Sequence, residues 1–232
     1  HLKVFDKMVR KEVEKRFKLA EKILSTFITD LNVSFGNVVL CSGNHDVLRP
    51  LAVQNNTIKC AKVSNDDYQY ECPNVADAIM QPFTSFVNNL KVANCTARYG
   101  DSDSFCAQLG LVTFCGLDDL NILILNTNWI NPKDQKPGYY CVRCDKVKDA
   151  IKANYNENTE NKRLNLILAH KPIYEICEIA RLSYKRYTKT SFMTALQNFA
   201  GEDGIYLCGD KHTRSIVSSY FHNIPHYIGG EP

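Results

Sequence analysis

Val38-Val39-Leu40-Cys41-Ser42-Gly43-Asn44-His45-Asp46 is the stretch on which the reading of this chain turns. Its four leading apolar residues predict a short buried strand, and in open α/β sheets ligands gather at the carboxyl ends of such strands. Gly43 is expected to allow a turn closed to residues with a Cβ, so that Asn44 and His45 project into one cleft. Asn44 brings an uncharged oxygen donor that suits a divalent cation. His45 can donate a proton or a hydrogen bond near neutral pH, and Asp46 can hold an imidazole in one orientation. Taken alone, the same residues also fit an Asn-His turn closed by Asp46 through an Asx-type bond.

Two later runs end in the same manner. Leu164-Asn165-Leu166-Ile167-Leu168-Ala169 leads into His170-Lys171-Pro172, where the proline stops a ladder and exposes the histidine. Ile205-Tyr206-Leu207-Cys208 leads into Gly209-Asp210-Lys211-His212. Three of the six histidines therefore follow buried-looking strands directly, a coincidence that a single surface histidine does not raise.

The order Gly-Asn-His-Asp, then His-x-Pro, then Gly-x-x-His resembles the calcineurin-like metallophosphoesterase superfamily over roughly residues 38–228. Leu123-Ile124-Leu125-Asn126-Thr127-Asn128 is similar to that family's central strand and the polar triplet ending it. The resemblance implies two divalent metal ions, manganese, iron or zinc, and hydrolysis of a phosphate mono- or diester by metal-activated water. By matching position, Asn44 and His170 are implied ligands of the second metal and His212 of the first. Asp210 stands where the family has the first histidine of a Gly-His-x-His pair, and a carboxylate oxygen can replace imidazole nitrogen there. His45 matches the non-ligand histidine that meets the phosphoryl oxygens or protonates the leaving group, with Asp46 beside it. Lys171 and Arg214 lie next to implied ligands and can contact phosphate, although solvent exposure is the expected fate of both.

The family's Asp-x-His and Gly-Asp-x-x-Asp, which supply the first metal's ligands and the bridging carboxylate, are not found ahead of Gly43. Gly100-Asp101-Ser102-Asp103-Ser104 has the wrong spacing and order, and reads as a solvated loop. The chain opens with His1 inside a helical pattern without a cap, so a piece of a longer polypeptide is expected, inactive by itself. Two alternatives stay open: a non-catalytic binding or scaffold domain, and a nuclease acting on nucleic acid.

Composition bounds these readings. A chain of 232 residues with 44% apolar content suits one domain, residues 1–232, with a probable insertion over 48–110. A net charge of +3 does not compel a nucleic-acid partner, although Tyr184-Lys185-Arg186-Tyr187-Thr188-Lys189 interleaves aromatic and basic residues suited to a single strand. A phosphoester small molecule or nucleotide is the expected substrate. No run approaches the ~20 apolar residues of a membrane span. Among ten cysteines, Cys41, Cys115 and Cys208 fall on apolar runs as small buried thiols, and Cys141-Val142-Arg143-Cys144 lacks a second pair to complete a zinc site. Cys60, Cys72, Cys95 and Cys106 and the sequons at Asn32, Asn55 and Asn94 admit a secreted setting, but a reducing cytoplasm is preferred.

Helical spacing of Val4, Phe5, Met8, Val13, Phe17, Ala20, Leu24, Phe27 and Leu31 predicts a helix over residues 2–31. Others are expected at 75–90, bent at Pro82, and at 145–155 and 191–200. Strands at 111–115 and 121–126 are expected to be neighbours. Strands alternating with helices imply an α/β domain, and the resemblance makes it two packed mixed β-sheets flanked by helices, a four-layer αββα sandwich incomplete at its N-terminus.

Overall fold

The computed structural model describes residues 2–43, 46, 60–62, 68–70, 73–93, 98–99, 112–116, 120–127, 151, 164–173, 189–209, 217–221 and 224–229. They form a mixed α/β architecture. Helix α1 (Leu2–Asp30) opens the chain and is followed by a 3-10 turn (Phe35–Asn37), capped by the Ser34 hydroxyl, which accepts from the Gly36 N–H. A small hairpin of β1 (Cys60–Lys62) and β2 (Tyr68–Tyr70) precedes α2 (Pro73–Leu90). Then come β3 (Arg98–Tyr99), β4 (Val112–Gly116), β5 (Leu120–Leu125), β6 (Leu164–Ala169), α3 (Lys189–Ala200), β7 (Ile205–Cys208), β8 (Val217–Phe221) and β9 (Ile224–Ile228).

Seven strands make one sheet in the order β3-β4-β5-β6-β7-β9-β8. Its centre, β5-β6-β7-β9, is parallel, and the strands added outside it run antiparallel to their neighbours. The expected neighbours at 111–115 and 121–126 pair from Val112↔Leu125 to Gly116↔Asn121. Strand β5 is buried on both faces, as a mostly apolar strand beside a parallel neighbour should be, with Asn121 its one polar residue. Its odd-numbered residues Leu123 and Leu125 join Ile167, Ala169 and Tyr206 against Met193, Leu196, Phe199 and Ala200 of α3. Ile122 and Ile124 face the other way.

On that second face lies residues 38–41, and here the expectation of a strand needs correcting. The backbone at Val38 is extended, but the segment joins no ladder among the described residues; its contact with a neighbour is a bond from the Ala93 N–H to the Val38 carbonyl, 2.9 Å. The side chains still alternate. Val39 and Cys41 pack on Ile122, Ile124, Leu166 and Leu168 of the sheet, while Val38 and Leu40 pack on Phe86, Val87 and Leu90 of α2. Period-two patterning reports two buried faces and does not report an edge partner, which is why the sequence suggested a strand.

The resulting order is helix pair, extended segment, sheet, helix. Phe17 of α1 meets Phe86 of α2 with ring centroids 5.1 Å apart. Phe17, Leu24 and Ile28 mark the inward side of α1, whereas Met8, Leu19, Ile23, Phe27 and Leu31 are exposed, so part of the predicted apolar stripe faces outward. Asn32, at φ 53°, ends α1: its N–H donates to Thr29 and that of Val33 to Ile28, the two bonds of a Schellman closure. The predicted helix at 145–155 lies outside the described residues except for Ile151, which is helical and packs against the α3 side of the sheet. The hairpins β1-β2 and β8-β9 were not anticipated from sequence.

Candidate functional site

Strands β6 and β7 are parallel and flush, with Ala169 opposite Cys208 as the last rung. Pairing persists one residue further, since the Gly209 N–H donates to the His170 carbonyl at 3.2 Å. His170 therefore leaves the sheet with its backbone already held. Cys41-Ser42-Gly43 arrives from the neighbouring layer. A methyl group placed on Gly43 would lie 3.6 Å from both Nδ1 and Cε1 of His170 and 3.4 Å from an Asp46 carboxylate oxygen; one on Gly209 would lie 3.9 Å from the same Nδ1. The imidazole thus sits between two glycines that are 166 positions apart in sequence, and Asp46 lies alongside.

The ends of the Gly43–Asp46 turn are tied twice. The Asp46 N–H donates to the Gly43 carbonyl at 3.1 Å, and the Gly43 N–H donates to Asp46 Oδ2 at 2.6 Å. A carboxylate accepting a short backbone bond holds the turn firmly. Asp46 does close the turn through its side chain, but it accepts from an N–H three residues earlier, where an Asx-type bond would take one two residues ahead. Gly43 does not work as expected, however: its φ is not in the left-handed region, which Gly201 alone of the described glycines occupies. Its contribution is space beside His170.

Two carbonyl-directed bonds fix the surroundings. Ser42, buried, donates its hydroxyl to Asn126 Oδ1 at 3.2 Å, joining the turn to the end of β5. The Tyr206 hydroxyl donates to the Lys171 carbonyl at 2.8 Å. Thr127 Oγ1, beyond Asn126, is buried without a hydrogen-bond partner among the described residues. Lys171 departs from expectation: it is buried, 5% exposed, not solvated.

The Cys41 thiol is inert as a nucleophile. Burial first, then the Asp46 carboxylate and Cys208, push the Cys41 thiol up to about 12, so it stays protonated at physiological pH. Cys208 Sγ lies 3.3 Å from Nε2 of His226, whose ring meets the Tyr206 ring edge-on at 5.1 Å. Burial lowers the pKa of His226, favouring the neutral ring. Sequence reading missed Ser42, Tyr206 and His226; only the strand alternation, which puts Tyr206, Cys208 and His226 on one face, could have hinted at the last two.

Of the residues singled out from sequence, Asp46 and His170 are brought together. Asn44, His45, Asp210, His212 and Arg214 lie outside the described residues, as do Gly100–Ser104, Cys141–Cys144 and Tyr184–Thr188. Among the described residues no group of three His, Cys, Asp or Glu side chains is arranged to hold a metal ion, and no helix is long and apolar enough to cross a membrane. Comparison with models of known protein families and with curated proteins finds no match.

Proposed function

We propose that this chain is a calcineurin-like metallophosphoesterase domain whose reaction is hydrolysis of a phosphate mono- or diester. The observation that carries the reading is the meeting of Gly43 and Gly209 on the His170 ring. It sets the carriers of all three motifs side by side: Asn44 and His45 follow Gly43, and Asp210 and His212 follow Gly209.

The donors suit a divalent cation. His170 offers imidazole nitrogen, Asn44 and Asp210 offer oxygen, and His212 a second imidazole, a set fitting manganese, iron or zinc. The cradle left by two glycines keeps side-chain bulk from the His170 ring. Two such ions would supply Lewis acidity at a phosphoryl oxygen and lower the pKa of a water. The chain's own contribution is positional. Asp46 holds the turn, His45 on that turn hydrogen-bonds phosphoryl oxygens as charge develops, and Arg214, two residues beyond His212, can contact phosphate. For the architecture we propose the four-layer sandwich; the order of helix pair, extended segment, sheet and helix supports it. A reducing cytoplasm is the proposed setting, in keeping with the unbridged thiols of Cys41 and Cys208.

The test is metal binding by the full 232-residue chain, followed by Mn2+ titration calorimetry. His170→Ala should weaken Mn2+ binding by at least about tenfold to a hundredfold. Identical affinity in the two proteins would sink the reading. Mn2+ binding at His170 without Mn2+-dependent cleavage of bis-(p-nitrophenyl) phosphate would favour the non-catalytic alternative.

A further inference from the structure

Tyr206 is fully buried, in a cluster otherwise built from Leu123, Leu125, Ile167, Leu196 and Phe199. A phenolic hydroxyl in such surroundings is unfavourable unless it is hydrogen-bonded, and phenylalanine would fill the same volume without that demand. Its partner is the Lys171 carbonyl, at 2.8 Å, two residues beyond the end of β6. That carbonyl lies past the last rung of the ladder, Ala169↔Cys208, so strand pairing does not hold it.

The turn carrying His170 is therefore pinned at consecutive carbonyls from one strand: Gly209 donates to the carbonyl of His170, and Tyr206 to that of Lys171. Pro172 stiffens it further by fixing its own φ and restricting Lys171. The phenol ring is in turn held against rotation by the edge-on contact with His226, whose Nε2 meets Cys208 Sγ. From this geometry we infer that Tyr206 is a positioning residue for His170, fixing the direction in which its imidazole meets a divalent cation. The inference rests on the metallophosphoesterase reading and adds to it a residue that touches neither cation nor substrate.

Tyr206→Phe keeps the ring and removes the bond. In the full chain, Mn2+ affinity by calorimetry should fall about tenfold, the loss typical when the support of a ligating histidine is removed. The Co2+ d–d absorption should shift with it, reporting altered ligation. Phe199→Leu serves as the control, because it weakens the same core and makes no bond to the His170 turn; it should lower Tm while leaving Mn2+ affinity and the Co2+ spectrum as in the unaltered chain. Equal loss of affinity in both variants would mean a general packing role and overturn the inference. Unchanged affinity in Tyr206→Phe, with His170→Ala abolishing binding, overturns it as well and leaves the reading of the site standing. Unchanged affinity in His170→Ala removes both. Should Tyr206→Phe fail to fold, 3-fluorotyrosine at position 206 gives the second measurement: its 19F resonance should move on saturation with Zn2+, and a resonance that stays put overturns the inference.

Discussion

A buried histidine that must stay neutral ties stability to pH. His226 is 1% exposed, and burial lowers its pKa from the ordinary 6.5. Below 6.5 the unfolded chain takes up a proton that the folded chain refuses, until pH reaches the lowered folded value. Its contribution is therefore fully present above about 6.5 and is lost as pH falls through the window beneath it. Urea unfolding between pH 7.5 and pH 5 should show stability declining with acid. His226→Phe, which retains a ring beside Tyr206, should flatten that decline. An unchanged slope in the variant would assign the effect to other groups.

Among elements, the pairing of β5 with β6 contains a polar rung in an otherwise apolar strand pair. Asn121 and Asn165 are register partners, both buried, and Asn121 Nδ2 donates to Asn165 Oδ1 at 2.8 Å. Removing one partner leaves the other with an unsatisfied buried group, so Asn165→Leu should cost about 1–3 kcal/mol. Replacing both with leucine should cost less than the sum of the single changes, and a double-mutant cycle by urea denaturation measures that difference. Full additivity would mean that the bond contributes nothing. The elements themselves were well marked: β6 matches its apolar run residue for residue, and α2 covers the expected 75–90, continuing through Pro82 without interruption. The segment at 38–41 was marked equally well by its alternation, yet alternation cannot say whether a neighbour lies alongside.

In the whole molecule, that segment is the joint between layers. Val38 and Leu40 belong to the α1-α2 cluster, Val39 and Cys41 to the sheet cluster, and Ser42 bonds to Asn126 at the end of β5. Both layers therefore share residues, and loss of packing in one should be felt in the other. Phe86→Ala, which empties the centre of the helix-pair cluster, should cost about 3–5 kcal/mol and lower a single thermal transition seen equally by far-UV and near-UV circular dichroism. Two separated transitions would show that the helix pair melts independently. On the sheet's same face Leu207 and Tyr227, paired in register on β7 and β9, remain partly exposed, so cover from residues 38–41 fades beyond β6.

Sequence alone determined the α/β class, the strands β5, β6 and β7, the helices α1, α2 and α3, and the three points where polar residues leave apolar runs. These follow from local rules: burial sets the period of apolar residues, and glycine and proline end the runs. Only the tertiary structure decided that Gly43 and Gly209 close on His170, that Lys171 is buried, that Tyr206 reaches across to the turn after β6, and that residues 38–41 join no ladder among the described residues. The physical reason is that each of these is a contact between segments distant along the chain, settled by parallel register and layer packing. Neither composition nor spacing encodes such contacts one residue at a time.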